Sequence, residues 1–397
     1  MKYASVKLCV VGGELQGIEA LYLAEKAGFE TVLIDRKKNP PALPFAGDFH
    51  QLDISIEKKE TAKILSQVDA VLPALENING LDILAQICRS LGILYLQDNH
   101  AFRLTNDKLA TIEFFERLSI PYPALYPKAV FPLIVKPVSR SGSKAIYKVR
   151  NHKELKNAVT RVRRIDSRHM IQEYTSGCFL SLELNGLSGA SCPLQITTLE
   201  FDQTFGCKRV FVPSKLSGKI KHEIIEIGNK IVKGLKLIGL TDIQIVALDE
   251  VVKVVEINAR LPSQTPTVVY HSVGLNMVEL LYKLFRERRI PKVEFGSEKA
   301  VIYQHLQISN SDLKVVGEHS LSRASELRLE RDFFGVDEAI TNFPLEKEVN
   351  EERVATLVIK DKNLSRAKER MAEALCSIVD KYGLSGIVDK SPPGIVE

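Results

Sequence analysis

The apolar positions follow two rhythms, and the chain changes from one to the other near residue 130. In the first hundred residues, short apolar runs alternate with stretches of helical period. Leu8-Cys9-Val10-Val11 reads as a buried strand, and 17–28 as a helix with Ile18, Leu21 and Leu23 near one face. Residues 31–35 and 70–74 read as further strands, and a helix over 81–91 precedes a fourth strand at 93–96. This alternation predicts a parallel sheet covered on both faces. A helix at 107–118 ends in the turn Ile120-Pro121-Tyr122-Pro123. Strands then dominate, at 132–135, 170–174, 179–184, 194–201, 209–212, 242–248 and 251–257. Among them lies one long helix, whose Ile220, Ile224, Ile227, Ile231 and Leu235 form a single apolar stripe. A helix at 276–285, strands at 300–306 and 355–359 and a last helix at 365–382 complete the pattern. It predicts an α/β chain in three regions, 1–100, 101–290 and 291–397, without internal repeats.

Composition narrows the function classes. The 397 residues suffice for two or three domains with sizeable cores. Lys+Arg 54 against Asp+Glu 49 gives a net charge of +5, spread along the chain. That suits an anionic small molecule such as a nucleotide better than a nucleic-acid backbone. The absence of Trp and an aromatic content of 7% argue against base stacking as a binding mode. No apolar run approaches the roughly 18–20 residues of a membrane span, and Met1-Lys2-Tyr3-Ala4-Ser5-Val6-Lys7 lacks the features of a signal peptide. The six cysteines are far apart and form no CxxC pair, as expected of reduced packing residues in the cytoplasm. Neither a nucleic-acid nor a membrane partner is expected, and a homodimer is left open.

Four stretches carry candidate chemistry. Gly12-Gly13-Glu14-Leu15-Gln16-Gly17 lies between a strand and a helix, with Asp35 at the end of the next strand. This is close to a dinucleotide fingerprint. Glu14 replaces the middle glycine, however, and its charge opposes a pyrophosphate; the alternative is a tight turn that lets helix and strand pack closely. Leu133-Ile134-Val135-Lys136-Pro137 is a buried strand delivering one cation, followed by a small-residue loop containing Ser141, Gly142 and Ser143. A lysine beside such a loop can clamp phosphate. Gln172-Glu173-Tyr174-Thr175 ends a strand where backbone groups could meet an adenine edge, and Ser181 and Glu183 follow on alternate positions. In Val254-Val255-Glu256-Ile257-Asn258-Ala259-Arg260, Glu256 and Asn258 share one side of a strand. Gln244, twelve residues before Glu256, is placed to face it across a hairpin. Three oxygen donors without His or Cys suit Mg²⁺, which takes its remaining ligands from phosphates.

Strand-Lys136, hinge and Glu256-x-Asn258-x-Arg260 occur in the order found in ATP-grasp ligases, and Asp107-Lys108 before a helix fits the same superfamily. The resemblance implies an ATP-grasp fold with an N-terminal Rossmann-like (pre-ATP-grasp) domain, 1–100, an ATP-grasp domain, 101–290, and a C-terminal α+β region, 291–397. Within the superfamily, three stretches closely resemble the 3-methylornithine–lysine ligases of pyrrolysine biosynthesis: Gly12 to Gly17, Val68-Asp69-Ala70-Val71-Leu72-Pro73, and the run from Glu256 through Arg260-Leu261-Pro262-Ser263-Gln264-Thr265-Pro266 to Tyr270. Tyr303-Gln304-His305-Leu306 and Gly317-Glu318-His319 extend the likeness.

The resemblance implies ATP-dependent amide formation between the carboxylate of 3-methyl-D-ornithine and the ε-amine of L-lysine through an acyl phosphate, with ATP and Mg²⁺ required. By position, Lys108 and Lys136 would hold phosphates, Ser141 to Ser143 the phosphate loop, and Gln172, Glu173, Tyr174 and Thr175 the adenine. Gln244, Glu256 and Asn258 would hold magnesium. Ser181, Glu183, Arg260, Ser263, Gln264 and Thr265 would bind the ornithine part, and Leu15, Gln16, Glu76 and Glu318 the lysine. Lys136 and Arg260 would act at the reacting groups; the sequence singles out no general base, and Glu76 or Glu318 could orient or deprotonate the amine. The chain departs from the superfamily pattern at Gln244, where an acid is common, and at Phe179, where a ribose-binding Glu is common. The alternatives are a different ATP-grasp carboxylate–amine ligase and a nicotinamide-binding oxidoreductase.

Overall fold

The structure is a computed structural model and describes residues 3, 5–139, 145–344 and 352–392. β1 (Lys7–Val11), α1 (Leu15–Ala27), β2 (Glu30–Asp35), β3 (Asp48–Gln51), α2 (Lys58–Leu65), β4 (Ala70–Pro73), α3 (Ile78–Leu91) and β5 (Leu94–Tyr95) build a parallel sheet of order β3-β2-β1-β4-β5. Alternate side chains serve opposite helix layers. Leu8, Val10, Leu33 and Leu72 pack with Leu21 and Leu23 of α1. Cys9, Val11, Val32 and Val71 pack with Leu65 of α2 and Leu84 and Cys88 of α3. Strand order reverses at β1, with β2 on one side and β4 on the other, so the loops after β1 and β4 open into a crevice at the strands' carboxyl ends. β3, Asp-Phe-His-Gln at the sheet edge, has no apolar alternation to announce it. The strand expected at 93–96 shrinks to two residues.

α4 (Asn99–Asn106) and α5 (Lys108–Leu118) meet at Asp107, whose carboxylate accepts the Leu109 and Ala110 N–H groups at 3.0 and 3.1 Å. That cap fixes Lys108 as the first residue of α5. β6 (Leu133–Pro137), β7 (Tyr147–Val149), α6 (His152–Arg163) and β8 (His169–Glu173) form a small antiparallel sheet with α6 against it, β6 in the centre.

The remaining strands make one sheet of eleven. They are β9 (Cys178–Leu187), β10 (Ala190–Phe201), β11 (Cys207–Val212), β12 (Ile238–Leu248), β13 (Val251–Asn258), β14 (Ala300–Ser309), β15 (Asp312–Val315), β16 (Arg328–Arg331), β17 (Glu338–Thr341), β18 (Arg353–Asp361) and β19 (Ile387–Asp389). Its path is β13-β12-β9-β10-β11-β14-β18-β17-β16, with β15 beside β14 and β19 beside β15. β14 pairs with both β11 and β18, so the sheet runs straight past residue 290. Among the described residues four further α-helices follow, α7 (Gly218–Leu235), α8 (Thr265–Val273), α9 (Met277–Glu287) and α10 (Leu364–Tyr382), with short 3-10 turns such as Glu318–Arg323.

α7 decides which face of the sheet is polar. Its stripe Ile220, Ile224, Ile227, Ile231 and Leu235 is buried against Leu180, Leu182 and Leu184 of β9 and Ile243 and Ile245 of β12. Each such side chain contributes about 1.5–3 kcal/mol on burial. With that face committed, alternation turns Ser181, Glu183, Asp242 and Gln244 to the other.

Candidate active site

The polar face is a regular array. Across β9–β12, Ser181 lies opposite Gln244 and Glu183 opposite Asp242. Across β12–β13, Gln244 lies opposite Glu256 and Asp242 opposite Asn258. The three residues expected to hold a metal are thus adjacent, and Gln244 faces Glu256 in the register the hairpin spacing suggested. Ser181 Oγ donates to Glu183 Oε1 at 2.6 Å, and Asn258 Nδ2 to Asp242 Oδ2 at 3.1 Å. The second oxygens, Glu183 Oε2 and Asp242 Oδ1, are buried without a hydrogen-bond partner. Leaving such a group unsatisfied costs about 1–3 kcal/mol, so a facing pair of them is a place for a donor-rich ligand. Burial, followed by the Asp242 carboxylate, raises the Glu183 pKa well above the carboxylate range. Burial also raises Asp242, to about 6, against the pull of Arg260 and Asn258.

Three cations approach this face. Lys136, in the fully buried strand β6, is 3% exposed. Burial pushes its pKa down to about 8; Glu256 works against the shift and Lys108 adds to it. Lys108 Nζ stands 3.2 Å from Glu256 Oε1. Burial tends to raise Glu256, but Lys108, Lys136 and Arg260 together more than offset this and hold the carboxyl below its usual range. Glu256 is therefore an ionised acid facing two lysines. Arg260 Nη2 pairs with Glu76 Oε1 at 2.7 Å. Glu76, Lys108, Glu256, Asn258 and Arg260, with Phe102, Thr105 and Asn106, line a narrow cavity of about 10 Å³.

The donor set fits a hard cation. Glu256, Gln244 and Asn258 offer one carboxylate and two amide oxygens, without sulfur or imidazole. Among the described residues no group of three or more His, Cys, Asp or Glu could hold a metal by itself. A site this lean suits Mg²⁺ completed by phosphate oxygens, which Lys108 and Lys136 are placed to attract.

The crevice loops supply the other residues. Asn77 caps α3 through the Gly80 N–H at 2.9 Å, so Glu76 is not the helix cap and turns instead to Arg260. Leu15 begins α1, and Gln16 Nε2 donates to the Leu261 carbonyl at 2.9 Å. Ser263-Gln264-Thr265 is a γ-turn: Gln264 has φ +78° and ψ −56°, and the Thr265 N–H donates to the Ser263 carbonyl at 3.1 Å. For a residue with a Cβ this backbone stores about 1–3 kcal/mol of strain. Gln264 Oε1 and Glu318 Oε2 are buried without a partner, and burial pushes Glu318 up to about 7.

The hinge is more committed to the fold than expected. The Glu173 N–H donates to the Ala124 carbonyl and the Tyr174 N–H to the Pro132 carbonyl, at 2.8 and 2.9 Å. The Glu173 carboxylate pairs with Lys253 and accepts from Thr175 Oγ1 at 3.1 Å. Gln172 is buried, and Lys148 Nζ lies 3.5 Å from the centre of the Tyr174 ring. Ser141, Gly142 and Ser143 lie outside the described residues. Phe179 packs edge-on to Phe201 at 5.1 Å.

The glycine loop is a turn. A Cβ at Gly12, which has φ +106°, would stand 2.4 Å from the Ala74 carbonyl oxygen, and one at Gly17 would stand 2.2 Å from that of Gly12. Asp35, placed by sequence where a ribose would be held, accepts the Gly13 N–H on Oδ2 at 2.6 Å and the Lys37 N–H on Oδ1 at 2.7 Å. Glu14 pairs with Lys37 at 2.6 Å. The nicotinamide alternative loses its principal residue to the loop's own backbone.

Two residues of this region escaped sequence reasoning. Asp242 had an available signal, since it lies two positions before Gln244 on the same strand face. Glu19 is buried within α1 and accepts the Thr267 N–H at 2.6 Å; its only mark in the sequence is an acid inside an apolar helix.

The chain matches the ATP-grasp domain family over residues 105–264. It is 31% identical to the 3-methyl-D-ornithine–L-lysine ligase of Methanosarcina acetivorans over 380 residues, 95% of this chain and 98% of that one. To the ligase of the same name from Methanosarcina barkeri it is 33% identical over 329 residues, 80% of this chain and 85% of the other. The biotin carboxylase domain of Hydrogenobacter thermophilus 2-oxoglutarate carboxylase superposes with TM-score 0.73 at 15% identity, covering 94% of this chain and 89% of its own. N5-carboxyaminoimidazole synthetase from Staphylococcus aureus, complexed with ADP, gives 0.71 at 15% identity, covering 94% and 98%. The solved structures share the fold, and with identity sustained over nearly the whole chain, this protein belongs to the family of 3-methyl-D-ornithine–L-lysine ligases.

Proposed function

We propose that the chain joins the carboxylate of 3-methyl-D-ornithine to the ε-amine of L-lysine, converting ATP to ADP and phosphate. The observation that carries this reading is the array on β9, β12 and β13, where an ionised Glu256 faced by two lysines stands beside two buried acids with unpaired oxygens. One end of the array suits magnesium and phosphate, and the other an ammonium.

Lys136 and Lys108 hold the ATP phosphates and spread the charge that grows on them during transfer. Glu256, Gln244 and Asn258 would hold Mg²⁺, which supplies Lewis-acid stabilisation of the phosphate oxygens. Glu183 and Asp242 accept hydrogen bonds from an ammonium of the ornithine part, while Arg260 orients its carboxylate. A carboxylate oxygen forms a bond to the γ-phosphorus, the bond to the β-phosphate oxygen breaks, and ADP leaves. The lysine ε-ammonium gives up one proton, its nitrogen bonds to the acyl carbon, and phosphate departs with the acyl oxygen and the nitrogen's second proton. The net products are amide, ADP, phosphate and one proton. Of the two acids placed to orient or deprotonate the amine, Glu318, pushed up to about 7, is better matched to taking that proton at neutral pH than Glu76, which is tied to Arg260. No helix among the described residues is long and apolar enough to cross a membrane; a cytoplasmic site of action agrees with free cysteines and a nucleotide substrate.

The deciding experiment gives the chain ATP, Mg²⁺, L-lysine and D-ornithine or its 3-methyl form, and records product mass and nucleotide. The expected result is a lysine adduct heavier than lysine by the ornithine substrate less one water, with ADP formed only when the ornithine substrate is present. Lys136→Ala should lower kcat/KM by a hundredfold or more, since about 1.4 kcal/mol is a factor of ten. AMP and pyrophosphate as products, or amide formation with a different carboxylate only, would overturn the proposal.

A further inference from the structure

One buried row of α1 is polar. Gln16, Glu19, Tyr22 and Lys26 recur at spacings of three, three and four, which places them along one side of the helix. Gln16 reaches the Leu261 carbonyl at 2.9 Å. Glu19 accepts the Thr267 N–H at 2.6 Å. The Tyr22 hydroxyl stands 2.7 Å from His271 Nε2 and donates to Glu338 Oε2 at 2.6 Å, and Lys26 Nζ donates to Glu338 Oε1 at 2.6 Å. The first three contacts follow the segment Leu261 to His271 from one end to the other.

Glu19 differs from the other rungs in where it points. It is buried, and burial pushes its pKa up to about 7 against donors on Thr267 and Gln264. Those donors belong to the first turn of α8 and the residue before it, and α8 has no side-chain cap of its own. The residue before α8 is Gln264, held at φ +78°. A strained turn persists only when its surroundings over-determine it. Here the surroundings are the helix that follows, fixed by an acceptor borrowed from another part of the fold. An acid is stabilising at a helix N-terminus, where N–H groups lack partners.

We propose that Glu19 is a positioning residue: it anchors the first turn of α8 and thereby keeps the Gln264 turn in the shape that presents Ser263, Gln264 and Thr265 to the carboxylate substrate. The kinetic consequence rests on the proposed function, but the structural one does not. α1 begins with Leu15 and Gln16, assigned to the amine substrate, so one helix sets the distance between the two substrate segments.

The test compares wild type, Glu19→Gln and Tyr22→Phe in the full chain. Glu19→Gln keeps the size but places an amide NH₂ where a carboxylate oxygen faced a donor. Amide hydrogen exchange is read first, without substrates. Residues 264–268 should exchange at least tenfold faster in Glu19→Gln, with α9 unchanged. In steady-state assays the KM for the ornithine substrate should rise tenfold or more, the lysine KM should stay within about twofold, and Glu19→Asp should recover part of the loss. Tyr22→Phe, at the far end of α8, should lower the melting temperature without splitting the two KM values. Unchanged exchange at 264–268 overturns the proposal, as does an equal rise in both KM values. Faster exchange in a protein whose wild type makes no lysine adduct would leave the positioning role standing and remove the assigned substrates.

Discussion

Asp242, proposed to accept the substrate ammonium, works against the fold that carries it. Its carboxyl is raised to about 6 from 3.8, with burial as the leading cause. An acid whose folded pKa is raised costs stability. Below about pH 4 the group is protonated in both folded and unfolded chains, and the cost is absent. It grows as pH rises from 4 to 6 and then levels off, at a few kcal/mol for a shift of this size. Asp242→Asn should therefore melt several degrees above wild type at pH 7.5, the gap should close near pH 4, and turnover should fall at least a hundredfold. Thermal unfolding across that pH range, with an ADP-release assay, checks both; a variant less stable at pH 7.5 would remove the account. At this scale the sequence was informative where chemistry and alternation agree. Glu256, Asn258 and Gln244 are polar residues amid Val and Ile at positions a hairpin must bring together. The destinations of Glu76 and Glu173 were not legible. Their partners, Arg260 and Lys253, are remote in sequence, and ion pairs of that kind leave no periodic trace.

Elements with a strong internal pattern were readable, and those defined by their neighbours were not. The α7 stripe announces both the helix and its buried face. The polar edge strand β3 and the short β16 and β17 take their conformation from sheet partners. The loop between β1 and α1 is an intermediate case. Its glycines are required, but by backbone crowding within the turn rather than by a pyrophosphate. Gly17 is the sharpest instance, because an added methyl would meet the Gly12 carbonyl oxygen at 2.2 Å, which backbone cannot yield cheaply. Gly17→Ala should destabilise the chain by about 1–3 kcal/mol, as overpacking does. Because α1 carries Gln16 and Glu19, its displacement should also weaken both substrates together. Thermal melting and the two KM values test this; a stable variant with only nucleotide affinity reduced would restore a cofactor role for the loop.

The whole molecule is tied together more closely than three regions in sequence suggest. The core around α1 includes Val269, Met277 and Leu281, and also Leu321, Ile340 and Val354. The large sheet passes through β11 and β14 without interruption. Strand pairing across a long sequence gap has no local signature, so the break expected near residue 290 could not reveal the continuity. The junction also has an electrostatic lock. Lys208 of β11 is almost fully buried and is held by Asp389, the Lys390 carbonyl and Ser391 Oγ. Arg209 joins Glu200, Gln304 and the same Asp389. Burial tends to raise the Asp389 carboxyl, but Lys208 and Arg209 more than offset it and hold the pKa below 3.8. An acid with a depressed pKa adds stability that is present above its unfolded value and is lost as pH falls through the folded one. Removing it leaves the Lys208 ammonium only the Lys390 carbonyl and Ser391 hydroxyl; because Asp389 itself lies at the surface, the loss is about 1.5–3 kcal/mol, that of a hydrogen bond to a charged group. Asp389→Ala should therefore lower the melting temperature by several degrees at pH 7 and by much less near pH 2–3. Since sheet and core are shared, calorimetry should show the main transition moving as a unit. A separate early transition, with the rest of the profile unmoved, would mean that the C-terminal strands unfold independently of the β9–β13 array.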